Sequence, residues 1–247
     1  AVDKFFSSGE LDTESNAQFG EGGAGAFSDG KLKFGARDKY NYKVLSELVN
    51  AGAQEDILYT KGAHLGTDNL PRLVAKLREK IISLGGKFIF GARLTDLQIC
   101  DGKLKSCSFL CRGKIETIET EALLLAIGHS ARDTFSMLYS KQIPMEQRPF
   151  GIGVRIEHPR EYINKLIYGD ASLANEIGTA SYHLVSHLPS GRSVYSFCMC
   201  PGGVVVPAAG SKGGVVTNGM SEYARMADNS NAAHLVSLTP ADFASDH

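Results

Sequence analysis

Two hydrophobic rhythms divide this chain. Within Tyr42–Asn50, Val44, Leu45, Leu48 and Val49 share one helical face, and Gly52 is a plausible stop. Gln54–Tyr59 reads as a further helical turn. His64-Leu65-Gly66-Thr67 leads into the strongest helical signal, in which Leu70, Leu73, Val74, Leu77, Ile81 and Leu84 keep the helical period. Thr67 or Asp68 is placed to N-cap that helix. Pro71 is tolerated in its first turn, and Gly85-Gly86 ends it.

Beyond Gly86 the period becomes two. Lys87–Phe90 and Leu94–Ile99 read as strands. Asp101-Gly102 is a hairpin signal, Lys103–Cys111 returns, Arg112-Gly113 turns, and Lys114–Thr120 goes out again. The result is a small β-meander. Ala122–Ile127 is apolar on both faces and predicts a strand buried in a parallel sheet, followed by a helix over Thr134–Tyr139. From Pro149 a second region opens. Phe150, Ile152, Val154 and Ile156 alternate with Gly151, Gly153, Arg155 and Glu157, which predicts a half-buried strand. A short helix over Arg160–Tyr168 follows. A hairpin pairs Tyr182–Leu188 with Ser193–Cys200, and further strands fall at Gly203–Ala208, Gly214–Thr217 and Ala233–Leu238. Asn218–Asn231 reads as a loop.

The stretch between the N-terminal polar segment and the first helix obeys neither rhythm. Phe19 to Lys31 holds five glycines, with Ser28 and Lys31 close by. Glycine lets a backbone adopt positive φ and approach a ligand, and successive N–H groups in such a loop converge on an anion. Gly20, Gly22 and Gly25 fit the formal G-x-G-x-x-G spacing. The preceding Asp12–Gln18 is polar and reads as no strand, so the Rossmann first-turn reading is rejected. A phosphate-cradling or cofactor-covering loop is expected, with a plain surface loop as the alternative.

Composition narrows the classes. The chain has 247 residues, 43% of them hydrophobic, with a formal net charge of −1. Its Lys and Arg residues are scattered, so bulk charge draws it to neither nucleic acid nor an anionic membrane. The five cysteines are irregularly spaced and make no disulfide framework, which fits a reducing, cytoplasmic setting. No apolar run is long enough to span a bilayer. His183, His187, Cys198 and Cys200 would supply zinc-type donors on one hairpin face, but Cys-x-Cys is no usual zinc knuckle, and no metal site is assigned. A redox role for Cys198 and Cys200 requires exposure and a lowered thiol pKa, and stands beside simple packing. His129, at the carboxyl end of the expected buried strand, is a candidate cofactor contact or a helix cap. Arg155 and His158 are candidates for an anionic substrate.

The order of elements then carries a resemblance. Helix, Gly-Gly, strand, meander, buried strand and Ala126-Ile127-Gly128 resemble the FAD-binding domain of two-domain flavoprotein oxidoreductases. The wording of the Gly-rich loop, from Asn16 to Leu32, resembles a bacterial family of uncharacterised FAD-dependent dehydrogenases. Gly128–Thr134, Gly153–Pro159, Phe197–Gly203 and Thr217–Ser221 match that family too. The resemblance implies an α/β (α+β) fold: a partial FAD-binding, Rossmann-like domain with a β-meander at 1–148, and an inserted, mostly antiparallel β domain at 149–247. Family members carry a βαβ unit with the true fingerprint upstream and a closing segment downstream. Neither is read here.

The implied activity is FAD-dependent oxidoreduction of an unknown small organic substrate. Gly20, Gly22, Gly23, Ala24, Gly25, Phe27, Ser28, Gly30, Lys31, Gly128 and His129 are the expected cofactor-binding residues. Arg155, His158, Cys198 and Cys200 are on the substrate side. No catalytic residue is assigned. The alternative is a non-catalytic binding or scaffold module that keeps the fold without cofactor. The unpaired sheet edge expected without the upstream strands also points to self-association.

Overall fold

A computed structural model of the chain describes residues 1–32, 39–60 and 62–243; the last four residues of the second domain drawn from sequence lie outside them. The chain divides into two compact units. One comprises Ala1–Leu77 with Arg148–His247, the other Arg78–Gln147. The Gly-rich loop therefore lies in the same unit as the C-terminal sheet. The fold class is mixed α/β, and every strand pairing among the described residues is antiparallel.

In the first unit, α1 (Val2–Ser8) precedes the Gly-rich loop, which closes in a 3-10 turn at Gly23–Phe27. Helices α2 (Asn41–Asn50) and α3 (Leu70–Ser83) follow, with a 3-10 turn at Glu55–Leu58 between them. The helical periodicity puts Leu73 of α3 into a core with Ala51, Ile57, Ala63 and Leu65, and Leu45, Leu48, Leu70 and Leu77 pack around it. Neither expected N-cap is spent on the helix alone. Thr67 Oγ1 donates to the Ala26 carbonyl, and Asp68 Oδ1 accepts from Tyr223 N at 2.9 Å.

The rest of this unit is built on β4 (Phe150–Pro159), α5 (Arg160–Tyr168), α6 (Ala174–Ile177), β5 (Val185–His187), β6 (Ser193–Cys200), β7 (Val204–Pro207), β8 (Thr217–Met220) and β9 (Asn229–Leu238). A four-stranded sheet runs β4-β9-β6-β5, and β7 pairs with β8. Two expectations are corrected. The segment read as a loop from Asn218 carries strand at both ends, in β8 and in the start of β9. The alternation in β4 is present, but its apolar row is not the covered one. Ile152, Val154 and Ile156 are 54%, 66% and 46% exposed, whereas Arg155 turns inward to Cys198 and Asn231. Alternation specifies two faces; which one is buried depends on the layer laid against it, and among the described residues none covers the apolar row.

The second unit holds β1 (Ala92–Cys100), β2 (Lys103–Cys111), β3 (Lys114–Glu119) and α4 (Arg132–Ser140). The meander forms as expected. Asp101 and Gly102 carry φ of 53° and 70°, and Arg112 and Gly113 carry 49° and 78°; both pairs have the positive φ that tight two-residue hairpins demand. Leu97, Cys107 and Leu138 make its core, with Leu94, Leu104, Leu125, Met137 and Ile143 around them. Lys87–Phe90 and Ala122–Ile127 are the corrections here. Neither is a strand, and Leu124 is 91% exposed. A strand apolar on both faces needs a hydrogen-bonded neighbour at each edge and a layer on each side. No described segment pairs with residues 122–127, so the run forms no strand; Leu125 packs on the meander core while Leu124 is left exposed.

Candidate functional site

The Gly-rich loop meets the C-terminal sheet at one buried carboxylate. Asp29 is 1% exposed. Its Oδ1 accepts from Arg225 Nε at 3.0 Å and from the Ser221 hydroxyl, and its Oδ2 lies 2.5 Å from Arg225 NH2 and 3.1 Å from Lys31 Nζ. Burial alone pushes this carboxyl up. The guanidinium of Arg225, the ammonium of Lys31 and the Ser221 hydroxyl outweigh it and hold the group below its ordinary value. A buried carboxylate survives only when so surrounded, which makes Asp29 the point that fixes the loop.

The chain around it is shaped to permit the pairing. Arg225 sits at φ 52°, and Gly202 lies beneath it: a Cβ on Gly202 would come within 1.7 Å of the Arg225 carbonyl oxygen. His64 stacks on Tyr223, ring centroids 5.1 Å apart, and its Nε2 is 2.9 Å from the Tyr223 carbonyl. Burial, then the charge of Arg225, pushes the His64 imidazole down, against the Tyr223 carbonyl and Asp29, which raise it. On the loop's other side Lys31 bridges to His64, and Leu65 N donates to the Gly30 carbonyl at 2.9 Å.

The same loop borders a second feature. Lys31 Nζ donates to the Met199 carbonyl, and Ser28, Asp29, Gly30, Lys31, Phe197 and Cys198 line a pocket of about 220 Å3. Here β6 leaves its ladder. Pairing with β9 skips from Phe197 to Cys200, and Cys198 adopts φ 46°. Arg155 NH1 donates to the Cys198 carbonyl at 3.2 Å and to Asn231 Oδ1 at 2.7 Å. Hydrogen bonding from the Cys200 thiol holds the Cys198 thiol down at about 6; burial opposes this, and Lys31 and Arg155 support it. The Cys200 thiol moves the opposite way, raised by that same hydrogen bond and by burial.

The structure thus brings Ser28, Gly30, Lys31, Arg155, Cys198 and Cys200 into one neighbourhood. Gly20, Gly22, Gly23 and Gly30 take positive φ, while Gly25 does not, and a Cβ added to Gly25 would meet Leu70 at an ordinary contact distance. Ala24 and Phe27 fall in the 3-10 turn; the Phe27 ring packs edge-on to Phe6, and its carbonyl accepts from Asn218 Nδ2 at 2.9 Å. Ser28 is committed locally, donating to the Gly25 carbonyl at 2.7 Å and accepting from Gly30 N at 3.0 Å. His158 stacks on Tyr182, which tilts against His234; burial, then the nearby His234, lowers its pKa. Gly128 and His129 belong to the second unit. Gly128 has φ 68° with open space around it, and the exposed His129 ring is 3.3 Å from Ser130 Oγ. Among the described residues no group of three or more His, Cys, Asp or Glu is gathered as a metal would need, the hairpin quartet included.

Asp29, Ser221, Arg225, His64 and Tyr223 escaped the sequence reading. Asp29 sits in plain view between Ser28 and Gly30. Its chief partner is 196 residues away, so no spacing announces the pair.

Comparison with known proteins adds two findings. Residues 149–247 match the family described as FAD-dependent protein, C-terminal domain-like. An uncharacterised protein of Clostridium beijerinckii is 50% identical over 243 residues, covering 98% of this chain and 45% of the relative. The chain thus spans less than half the length of that relative, and its C-terminal sheet is similar to a domain found in FAD-dependent proteins.

Proposed function

We propose that the chain is part of an FAD-dependent oxidoreductase and presents its Gly-rich loop and C-terminal sheet to the flavin and its substrate. The observation that carries this reading is the family match over 149–247, the region to which the loop is fixed through Asp29 and Arg225. The backbone of Gly20–Gly25 and the Lys31 ammonium are the groups in this unit suited to contact the cofactor. A pocket of about 220 Å3 is smaller than the ~300–1,000 Å3 that encloses a drug-sized ligand, so it fits part of a dinucleotide only.

A bound flavin would supply two-electron oxidation or reduction. The residues of this chain would orient the substrate, with Arg155 beside the pocket-lining Cys198 as the polar side of that site; His158, stacked on Tyr182, stands apart from that lining. The commitment of Ser28 and Lys31 to protein partners favours a second reading, a scaffold module without cofactor.

Flavin content separates the two. The Clostridium relative, purified intact, should carry visible flavin absorbance, reduced when Val replaces the glycine corresponding to Gly22. A colourless relative that takes up no added FAD would overturn the oxidoreductase reading.

A further inference from the structure

The geometry points to Cys198 and Cys200 as a redox-active dithiol that exchanges with low-molecular-weight disulfides in the pocket between Lys31 and Phe197. This chemistry needs no flavin and stands apart from the cofactor reading.

Three observations place it. First, access differs between the two sulfurs. Cys198 is half-buried and lines the pocket, while Cys200 is fully buried behind it; both are free thiols. This is the arrangement of an attacking and a resolving cysteine. Second, the backbone allows closure. Residues two apart in a strand are separated by about 6.6 Å, near the upper end of the ~4.4–6.8 Å Cα separation a disulfide tolerates. The bulge at Cys198 and its positive φ release the dipeptide from the ladder, and Cys200 Sγ already lies 3.4 Å from the Cys198 carbonyl. Third, cations are fixed at the thiols. Lys31 is anchored on the Met199 carbonyl and Arg155 on the Cys198 carbonyl, and both favour thiolate at Cys198. Asp29 acts against them, but its charge is largely spent on Arg225 and Lys31. Arg155 NH1, Cys200 Sγ and Asn231 Oδ1 converge so closely that a Cβ on Gly219 would lie within 2.6 Å of each, and the buried Asn231 Nδ2 has no hydrogen-bond partner among the described residues.

The exchange balances in two steps. The Cys198 thiolate attacks one sulfur of a disulfide R–S–S–R; the Cys198–S bond forms, the S–S bond breaks, and RS⁻ leaves to take a proton from water. Cys200 then attacks Cys198 Sγ, closing the protein disulfide. The second RS⁻ leaves with the proton that Cys200 gives up. The protein dithiol is oxidised by two electrons and R–S–S–R is reduced to two R–SH.

The test uses oxidised glutathione and the whole chain at neutral pH, read by peptide mass mapping. Wild type should acquire a Cys198–Cys200 disulfide, and Cys200→Ser should retain glutathione on Cys198 in preference to the exposed Cys100. Glutathione on Cys100 but not on Cys198, or on neither, overturns the proposal. A second arm needs no variant: the pH profile of iodoacetamide labelling at Cys198 in wild type. A midpoint near 6 is expected, moving upward in Lys31→Met. A wild-type midpoint at or above about 8, the range of an unperturbed thiol, overturns it.

Discussion

The β1–β3 meander and the Asp29 cluster are held together in opposite ways. In the meander, each strand pairs with the next through a two-residue turn, and every ladder contact is local in sequence. In the cluster, one carboxylate gathers Arg225, Ser221 and Lys31, and the loop reaches its partners across nearly the whole chain. The meander is specified by turn chemistry and alternation, each replaceable at small cost. The cluster is specified by a charge that cannot be buried alone. Damage should therefore be concentrated in one region and diffuse in the other.

The largest expected effect is Arg225→Ala. It leaves Asp29 buried with Lys31 as its main charged partner and should cost about 3 kcal/mol in chemical denaturation, the low end for a broken buried pair because Lys31 remains. Its pH dependence has a definite sign. Asp29 is depressed in the folded state, so its contribution is complete above the ordinary carboxyl value of 3.8 and is lost as pH falls through the folded value. Wild type and Arg225→Ala should thus differ fully near neutrality and converge in acid. A constant difference across that range would count against the ion pair.

Next in size is Gly202→Ala, at about 2 kcal/mol, from positive φ combined with contact against the Arg225 carbonyl. A variant as stable as wild type would show that the Arg225 turn is not so confined. The smallest is Gly102→Ala in the meander, where positive φ is the sole penalty because nothing lies within 4 Å of the added carbon. About 1 kcal/mol is expected, with the hairpin's circular dichroism retained. A loss as large as that of Arg225→Ala would erase the contrast.

The same contrast explains what was legible in the sequence. Asp101-Gly102, Arg112-Gly113 and the leucines of α3 are local signals, and the structure follows them. Ala122–Ile127 shows the limit: its apolar residues promised a buried strand, but burial requires neighbours, and composition does not say whether they are present. Ile152, Val154 and Ile156 make the same point for a face. At the candidate site the glycines, Lys31 and Cys198 stood out by type. Asp29 and Arg225 did not, since a polar pair distant in sequence carries no period and no motif. Arg155 stands out in the sequence as a candidate for an anionic substrate, but nothing there shows its inward turn to Asn231 and the Cys198 carbonyl.

The central claim is that the Gly-rich loop is fixed to the family-matched domain through Asp29, and a double-mutant cycle tests it most directly. Asp29→Asn, Arg225→Met and the double variant are to be compared by denaturation at neutral pH. A coupling of about 2 kcal/mol is expected, the double variant being clearly more stable than the sum of the single losses implies. Losses that add to within about 0.5 kcal/mol would mean that the two side chains act independently and would contradict the account.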